Sequence, residues 1–182
     1  MNKNYEIKTL YSSEEIAQKV KELGNIFNEI YKDQELYMIS VLRGSVIFAV
    51  DLARTLTMPL KMEFVRLSSY GSSTTSSGNV KAINVSLPDL NGKNVLIVED
   101  ITDTGRTAKY MVDYLKDNYN LKDLKFCSLL NKNMRREVDF EPDYYGFDID
   151  NKFVVGYGLD YDECYRNLPF IGYIEFQGEN NA

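Results

Sequence analysis

Val95-Leu96-Ile97-Val98 leaves a folding chain little choice. Four consecutive β-branched or leucine residues read as a strand buried on both faces, the situation at the centre of a parallel sheet. The surrounding pattern agrees. Ser12-Ser13-Glu14-Glu15 reads as a helix start, with Ser12 as N-cap and Glu15 as its capping-box partner. Ile16, Val20, Leu23, Phe27 and Ile30 continue at helical spacing as an amphipathic helix that covers a core. Leu36 to Leu42 reads as a buried strand, Arg43-Gly44-Ser45 as a short link, and Val46 to Leu56 as a helix ended by Met58-Pro59. Met62, Phe64 and Leu67 mark a further strand. Strand, helix, strand at this pitch predicts an α/β fold, a central and mostly parallel sheet with flanking helices.

Ser68 to Asn79, SSYGSSTTSSGN, has almost nothing to bury and is expected to be a mobile loop. Strands are expected at Val80 to Leu87 and Val95 to Val98, then a helix from about Thr104 to Asn118 and a strand over Leu124 to Leu130. The final third, rich in Tyr, Phe and Val, reads as short strands around tight turns, with 177–182 frayed. No linker or repeat interrupts the 182 residues, so a single domain over 1–182 is expected.

Composition narrows the chemistry. There is no histidine, which excludes Ser-His-Asp and Cys-His catalysis and any imidazole zinc site. The two cysteines, Cys127 and Cys164, are too few for a disulfide framework, and Cys127 in LKFCSLL reads as a core residue. No run approaches the ~18 apolar residues that cross a bilayer, and MNKNYEIKTL lacks the apolar core of a secretory signal, so a cytoplasmic location is expected. A net charge of −6 without a Lys/Arg-rich tract argues against nucleic acid as a partner.

Beyond the strand come two carboxylates, Glu99 and Asp100, and then Ile101-Thr102-Asp103-Thr104-Gly105-Arg106-Thr107. Ligands of open α/β sheets bind past the carboxyl ends of the strands, so the acids point into the expected site. The Thr- and Gly-rich turn opens a helix whose free amides and hydroxyls suit a phosphate. An isolated Asp103 would read as a helix cap. Three acids around a phosphate-shaped turn instead suggest a sugar diol or bound Mg²⁺, because anions otherwise repel phosphate. No Gly-x-x-x-x-Gly-Lys-Ser/Thr occurs, and Gly156-Tyr157-Gly158 lacks the third glycine of a dinucleotide fingerprint.

VLIVEDITDTGRT resembles the signature for 5-phosphoribosyl-1-pyrophosphate (PRPP) in type I phosphoribosyltransferases. With LRGS, SSYG, LLNK, KFVVGYGLDY and YRNLP, from about Ile39 to Pro169, the chain is similar to their bacterial hypoxanthine-guanine branch. The resemblance implies the fold of that family, with a small hood formed by the terminal segments. It implies transfer of 5-phosphoribosyl from PRPP to hypoxanthine or guanine, giving IMP or GMP and pyrophosphate, with Mg²⁺ as cofactor. It implies a homodimer or homotetramer. A nucleotide-sensing regulatory protein on the same fold, or a transferase preferring xanthine, are the alternatives.

Roles follow by the same resemblance. Glu99 and Asp100 match the acids that engage the ribose hydroxyls, directly or through Mg²⁺. Asp103 matches the general base at purine N7. Asp103, Thr104, Gly105, Arg106 and Thr107 match the 5′-phosphate cradle, Arg106 without a catalytic role. Arg43, Gly44 and Arg166 match pyrophosphate contacts, and a non-proline cis peptide is implied at Leu42-Arg43. Lys132 matches the donor to the purine 6-oxo group, Phe153 the ring that stacks on the base, and Val154 the backbone that reads its edge. Asp160 matches a residue serving a second Mg²⁺ and the purine 2-position. Ser69 and Tyr70 begin a stretch that closes over PRPP. Spacing alone would make Lys132 a surface lysine and Phe153-Val154-Val155 a core strand.

Overall fold

The structure, a computed structural model, describes residues 5–69, 80–83 and 86–176. The chain opens with strand β1, Tyr5–Tyr11, then helix α1, Ser13–Ile30. The expected capping box is present: the Glu15 amide donates to Ser12 Oγ at 3.2 Å and the Ser12 amide to Glu15 Oε2 at 2.8 Å. Ile16, Val20, Leu23 and Phe27 are buried along one stripe of α1. There follow β2 (Leu36–Leu42), α2 (Val46–Thr55), β3 (Leu60–Ser69) and β4 (Val80–Ile83). After them come β5 (Asn94–Thr102), α3 (Arg106–Asn118), β6 (Asp123–Asn131) and a 3₁₀ turn at Asn133–Arg135. Strands β7 (Tyr144–Asp148), β8 (Val154–Val155) and β9 (Ile171–Phe176) complete the described chain.

One sheet has the order β4-β3-β2-β5-β6-β7, with β4 antiparallel to β3 and the other neighbours parallel. A second, antiparallel sheet of order β1-β9-β8 joins segments from both ends of the chain and forms the expected hood. Val95, Leu96, Ile97 and Val98 all have no exposed surface. The period of two in a strand divides them between two cores. Leu96 and Val98 pack with α1 and α2, while Val95 and Ile97 pack with Ala108, Met111 and Leu115 of α3. Cys127 is buried in β6, where desolvation pushes its thiol well up. Among the described residues no helix is long and apolar enough to cross a membrane.

From β2 the chain steps to β3 on one side, and from β5 to β6 and β7 on the other, so winding reverses between β2 and β5. These two strands pair from Leu36↔Asn94 to Ser40↔Val98 and no further, whereas β5 stays paired with β6 as far as Thr102↔Asn131. A crevice opens where the first ladder stops, at the position where ligands of open α/β sheets bind.

Several boundaries differ from expectation. Strand β5 runs to Thr102 because β6 continues to pair with it, so Glu99 and Asp100 lie inside the strand. Helix α3 starts at Arg106 instead of Thr104, since Gly105 is left-handed at φ 81° and ends the extended segment. Strand β4 is described over Val80–Ile83; Ser86 and Leu87 are not strand, and Pro88 has no amide to give a ladder. Tyr70, the loop expected over 71–79 and the frayed end expected over 177–182 lie outside the described residues.

Candidate active site

The turn between β5 and α3 is fastened from behind by its carbonyls. The Thr102 carbonyl accepts from the Lys132 amide at 2.9 Å and from Arg136 Nη1 at 3.3 Å. Arg136 Nη1 also donates to the Asp103 carbonyl at 2.7 Å, and the Glu137 amide donates to the Thr104 carbonyl at 3.0 Å. In a planar trans peptide the N–H lies opposite the C=O. Three carbonyls turned toward residues 132–137 therefore turn the amides of Asp103, Thr104 and Gly105 the other way. They face a cavity of about 260 Å³ lined by Glu99 to Gly105, Thr107 and Ala108, at the start of α3. Converging amides at a helix N-terminus make an anion cradle. The Arg106 side chain turns away from this cavity, its Nε pairing with Glu137 at 2.6 Å.

A second cavity of about 260 Å³ shares Glu99, Asp100 and Thr107 and extends to Arg43, Gly44, Asp160 and Arg166. The two adjoining acids thus stand between the cradle and a pair of arginines. Burial, then the neighbouring Asp100 charge, pushes Glu99 well above the usual carboxylate range. Burial raises Asp100 to about 6, against the pull of the Ile101 amide, which donates to its Oδ1 at 3.0 Å, and of the Arg166 charge. Asp160 adds to the rise. Among the described residues no group of three or more His, Cys, Asp or Glu side chains is placed to hold a metal alone. The donor chemistry of Glu99 and Asp100 nevertheless fits a hard divalent cation, whose other ligands would be substrate oxygens and water.

The link after β2 closes the far side. The Leu42-Arg43 peptide is cis. Ser45 Oγ donates to the Val41 carbonyl at 2.6 Å and lies 2.7 Å from Ser40 Oγ, tying the link to its own strand. Gly44 abuts Asp100 so closely that a Cβ there would fall 1.6 Å from Asp100 Oδ2. Gly44→Ala should therefore displace the Asp100 carboxylate. Overpacking of this kind costs about 1–3 kcal/mol, which taken out of the binding of pyrophosphate, a probe anion for this cavity, is about 5- to 160-fold in affinity. Calorimetric titration of the folded variant measures it; unchanged affinity would show that Asp100 can move without consequence.

Arg166 Nη2 pairs with Asp160 at 2.7 Å, and its Nη1 donates to the Gly158 carbonyl at 2.8 Å. Asp160 Oδ2 accepts the Glu163 amide at 2.9 Å. The Glu163 carboxylate contacts Arg43 and lies 3.6 Å from Arg166, an acidic partner that sequence reasoning missed. Asp162, Glu163 and Tyr165 all have positive φ (51°, 60° and 74°), so this turn is held in a conformation non-glycine residues disfavour.

On the other flank, Lys132 is 5% exposed, not a surface lysine, and its Nζ donates to the Lys152 carbonyl at 2.8 Å. Burial lowers its ammonium below the usual lysine range; Asp103 pulls it back and Arg135 lowers it further. Asp103 Oδ2 pairs with Arg135 at 3.2 Å, while Oδ1 is shut off from solvent without a hydrogen-bond partner among the described residues. Phe153 is exposed, with its ring edge-on to Tyr161 at 5.5 Å, and Val154 is buried in β8. These three residues, expected at the base, line neither cavity but adjoin the cradle through Lys132. Ser69 ends β3, and Tyr70 lies outside the described residues. Sequence reasoning also missed Arg136, whose only local signal is a second arginine after Arg135.

A phosphoribosyl transferase domain model matches residues 6–162. The hypoxanthine-guanine phosphoribosyltransferase of Lactococcus lactis is 45% identical over 168 residues, covering 92% of this chain and 91% of that protein. That of Bacillus subtilis is 44% identical, with coverage of 92% and 93%. A crystal structure of a hypoxanthine-guanine phosphoribosyltransferase from Bacillus anthracis superposes with a TM-score of 0.88 at 43% identity, covering 93% of this chain and 100% of that one. The chain also matches the bifunctional protein TilS/HprT of Listeria monocytogenes at 44% identity, spanning 26% of its length. The match along almost the whole chain, onto a switch-point crevice with an amide cradle and paired acids, places this chain in the hypoxanthine-guanine branch of the phosphoribosyltransferase family.

Proposed function

We propose that this chain transfers the 5-phosphoribosyl group of PRPP to hypoxanthine or guanine, a purine-salvage reaction that gives IMP or GMP and pyrophosphate. One observation carries the reading: Glu99 and Asp100 stand between an amide cradle and the Arg43/Arg166 pair. PRPP has the same order, a 5-phosphate, a ribose diol and a pyrophosphate. The cradle amides and Thr107 hold the 5-phosphate, the two acids take the diol, and the arginines replace Asp160 and Glu163 with pyrophosphate oxygens. Lys132 donates to the purine 6-oxo group and Phe153 covers the ring. Bond formation from N9 to C1 accompanies departure of pyrophosphate with the C1–O electron pair, and Asp103 takes the proton from N7. Rigid placement of both reactants supplies much of the rate. Mg²⁺, held by Asp100 and Glu99 together with substrate oxygens, would supply charge neutralisation to the polyphosphate. Incubating the protein with PRPP, Mg²⁺ and each of guanine, hypoxanthine, xanthine and adenine tests the reading; absence of any 6-oxopurine nucleotide would sink it.

The acids also predict a pH dependence. With its folded value raised from 3.8 to about 6, Asp100 favours the folded state most at low pH, and that contribution is lost as pH rises through about 6. Binding of Mg²⁺ and PRPP needs the ionised form and so runs the other way. Thermal melts should show Mg²⁺ with PRPP stabilising the protein more at pH 7.5 than at pH 5. An equal gain at both values would remove Asp100 from the cation site.

A further inference from the structure

We propose that Arg136 is the positioning residue that sets the distance between the phosphate cradle and the purine-facing lysine, an inference that rests on the function proposed above and deepens it. Its guanidinium lies between the two half-sites and has an 11% exposed side chain. Nη1 donates to the backs of the cradle, the carbonyls of Asp103 and Thr102, at 2.7 and 3.3 Å. Nη2 donates at 2.7 Å to Oδ1 of Asn131, the residue before Lys132. Asn131 is anchored in turn, since its Nδ2 donates to Asp148 Oδ1 at 2.9 Å. The stem passes under the turn: a Cβ on Gly105 would lie 2.8 Å from Arg136 Cδ.

The remaining contact, Nε and Nη2 to Glu141 at 3.4 and 3.3 Å, reaches a 65% exposed carboxylate and is screened by solvent. The buried acceptors are neutral oxygens of the two segments that carry phosphate and base recognition. A planar fork can serve two such directions at once, whereas an ammonium is a point donor on a flexible stem. Loss of the fork frees the Asp103 carbonyl to rotate, and its peptide amide rotates out of the cavity with it, while the Thr102 carbonyl keeps the Lys132 amide.

The test compares Arg136→Lys and Arg136→Ala with the unmutated protein, using two probes that need no turnover. Ribose 5-phosphate reports the cradle, and pyrophosphate reports the arginine side of the crevice. Affinity for ribose 5-phosphate should fall about 10- to 100-fold in both variants, the loss expected for removing a charged hydrogen-bond donor. Pyrophosphate affinity should change by less than about twofold, and millimolar guanidinium ion should restore part of the ribose 5-phosphate binding to Arg136→Ala. Affinities for both probes falling together, or neither moving, would overturn the proposal, as would failure of both variants to fold. Absence of purine turnover in the unmutated protein would instead defeat the proposed function and leave the binding comparison standing.

Discussion

Asp103→Asn should lower kcat by about 10²–10⁴-fold, the usual worth of a positioned general base, with PRPP affinity little changed. The substitution keeps the backbone amide and the carbonyl that Arg136 grips, so the cradle persists. Arg135 keeps a side-chain oxygen to bind in place of Oδ2. What disappears is an oxygen able to take a proton from the purine, and Oδ1, buried and unpartnered among the described residues, is the candidate. Single-turnover measurement at saturating PRPP separates the chemical step from product release. An unchanged rate there would reduce Asp103 to an anchor of the turn.

The unmutated protein is expected to disfavour adenine by about 10⁴–10⁵-fold, the scale on which buried polar mismatches discriminate, and Lys132→Met should relax that bias. The ammonium has three donors and no acceptor. One is spent on the carbonyl of Lys152, the residue before Phe153, and the others remain for a 6-oxo oxygen. Against the 6-amino group of adenine the same donors meet another donor, and both lose water without gaining a partner. Burial raises the stakes, since the lysine is 5% exposed and its charged form is already disfavoured. Methionine keeps the stem and removes the donors. The ratio of kcat/KM for guanine and adenine reads the effect, and comparable turnover of both bases by the unmutated protein would refute the assignment.

What could be read from the sequence was what neighbours along the chain decide. The Ser12/Glu15 box is complete within four residues, and the run Val95 to Val98 needs only its own side chains to announce a strand buried on both faces. Strand β1 was not legible, although Tyr5, Ile7, Thr9 and Tyr11 alternate, because what makes it a strand is β9 at the other end of the chain. The extension of β5 past Val98 depends likewise on β6, so a local reading ends the strand before its acids. In the site, spacing favours an exposed Lys132, and its burial comes from contact with the segment at Lys152. Arg136 touches carbonyl oxygens of another segment, and backbone oxygens leave no mark on residue type. Resemblance, not pattern, supplied the roles of Arg43, Arg166 and Phe153.

Strand β1 waits for a partner at the far end of the described chain, Tyr5 opposite Phe176, so the hood cannot zip until synthesis has passed β9. Pairings between distant segments close later than those between near ones, because the intervening chain must first be confined. Every segment that fastens the phosphate turn, by contrast, is present once residue 137 has emerged. Val154 finds Tyr173 opposite it only when β9 is in place. On the proposed reading, a nascent chain halted after β7 thus carries the turn for a sugar phosphate and Lys132 itself, but lacks Phe153, Arg166 and the Lys152 carbonyl that anchors Lys132. Placement of the base and of pyrophosphate, on that reading, waits for the segments beyond β7.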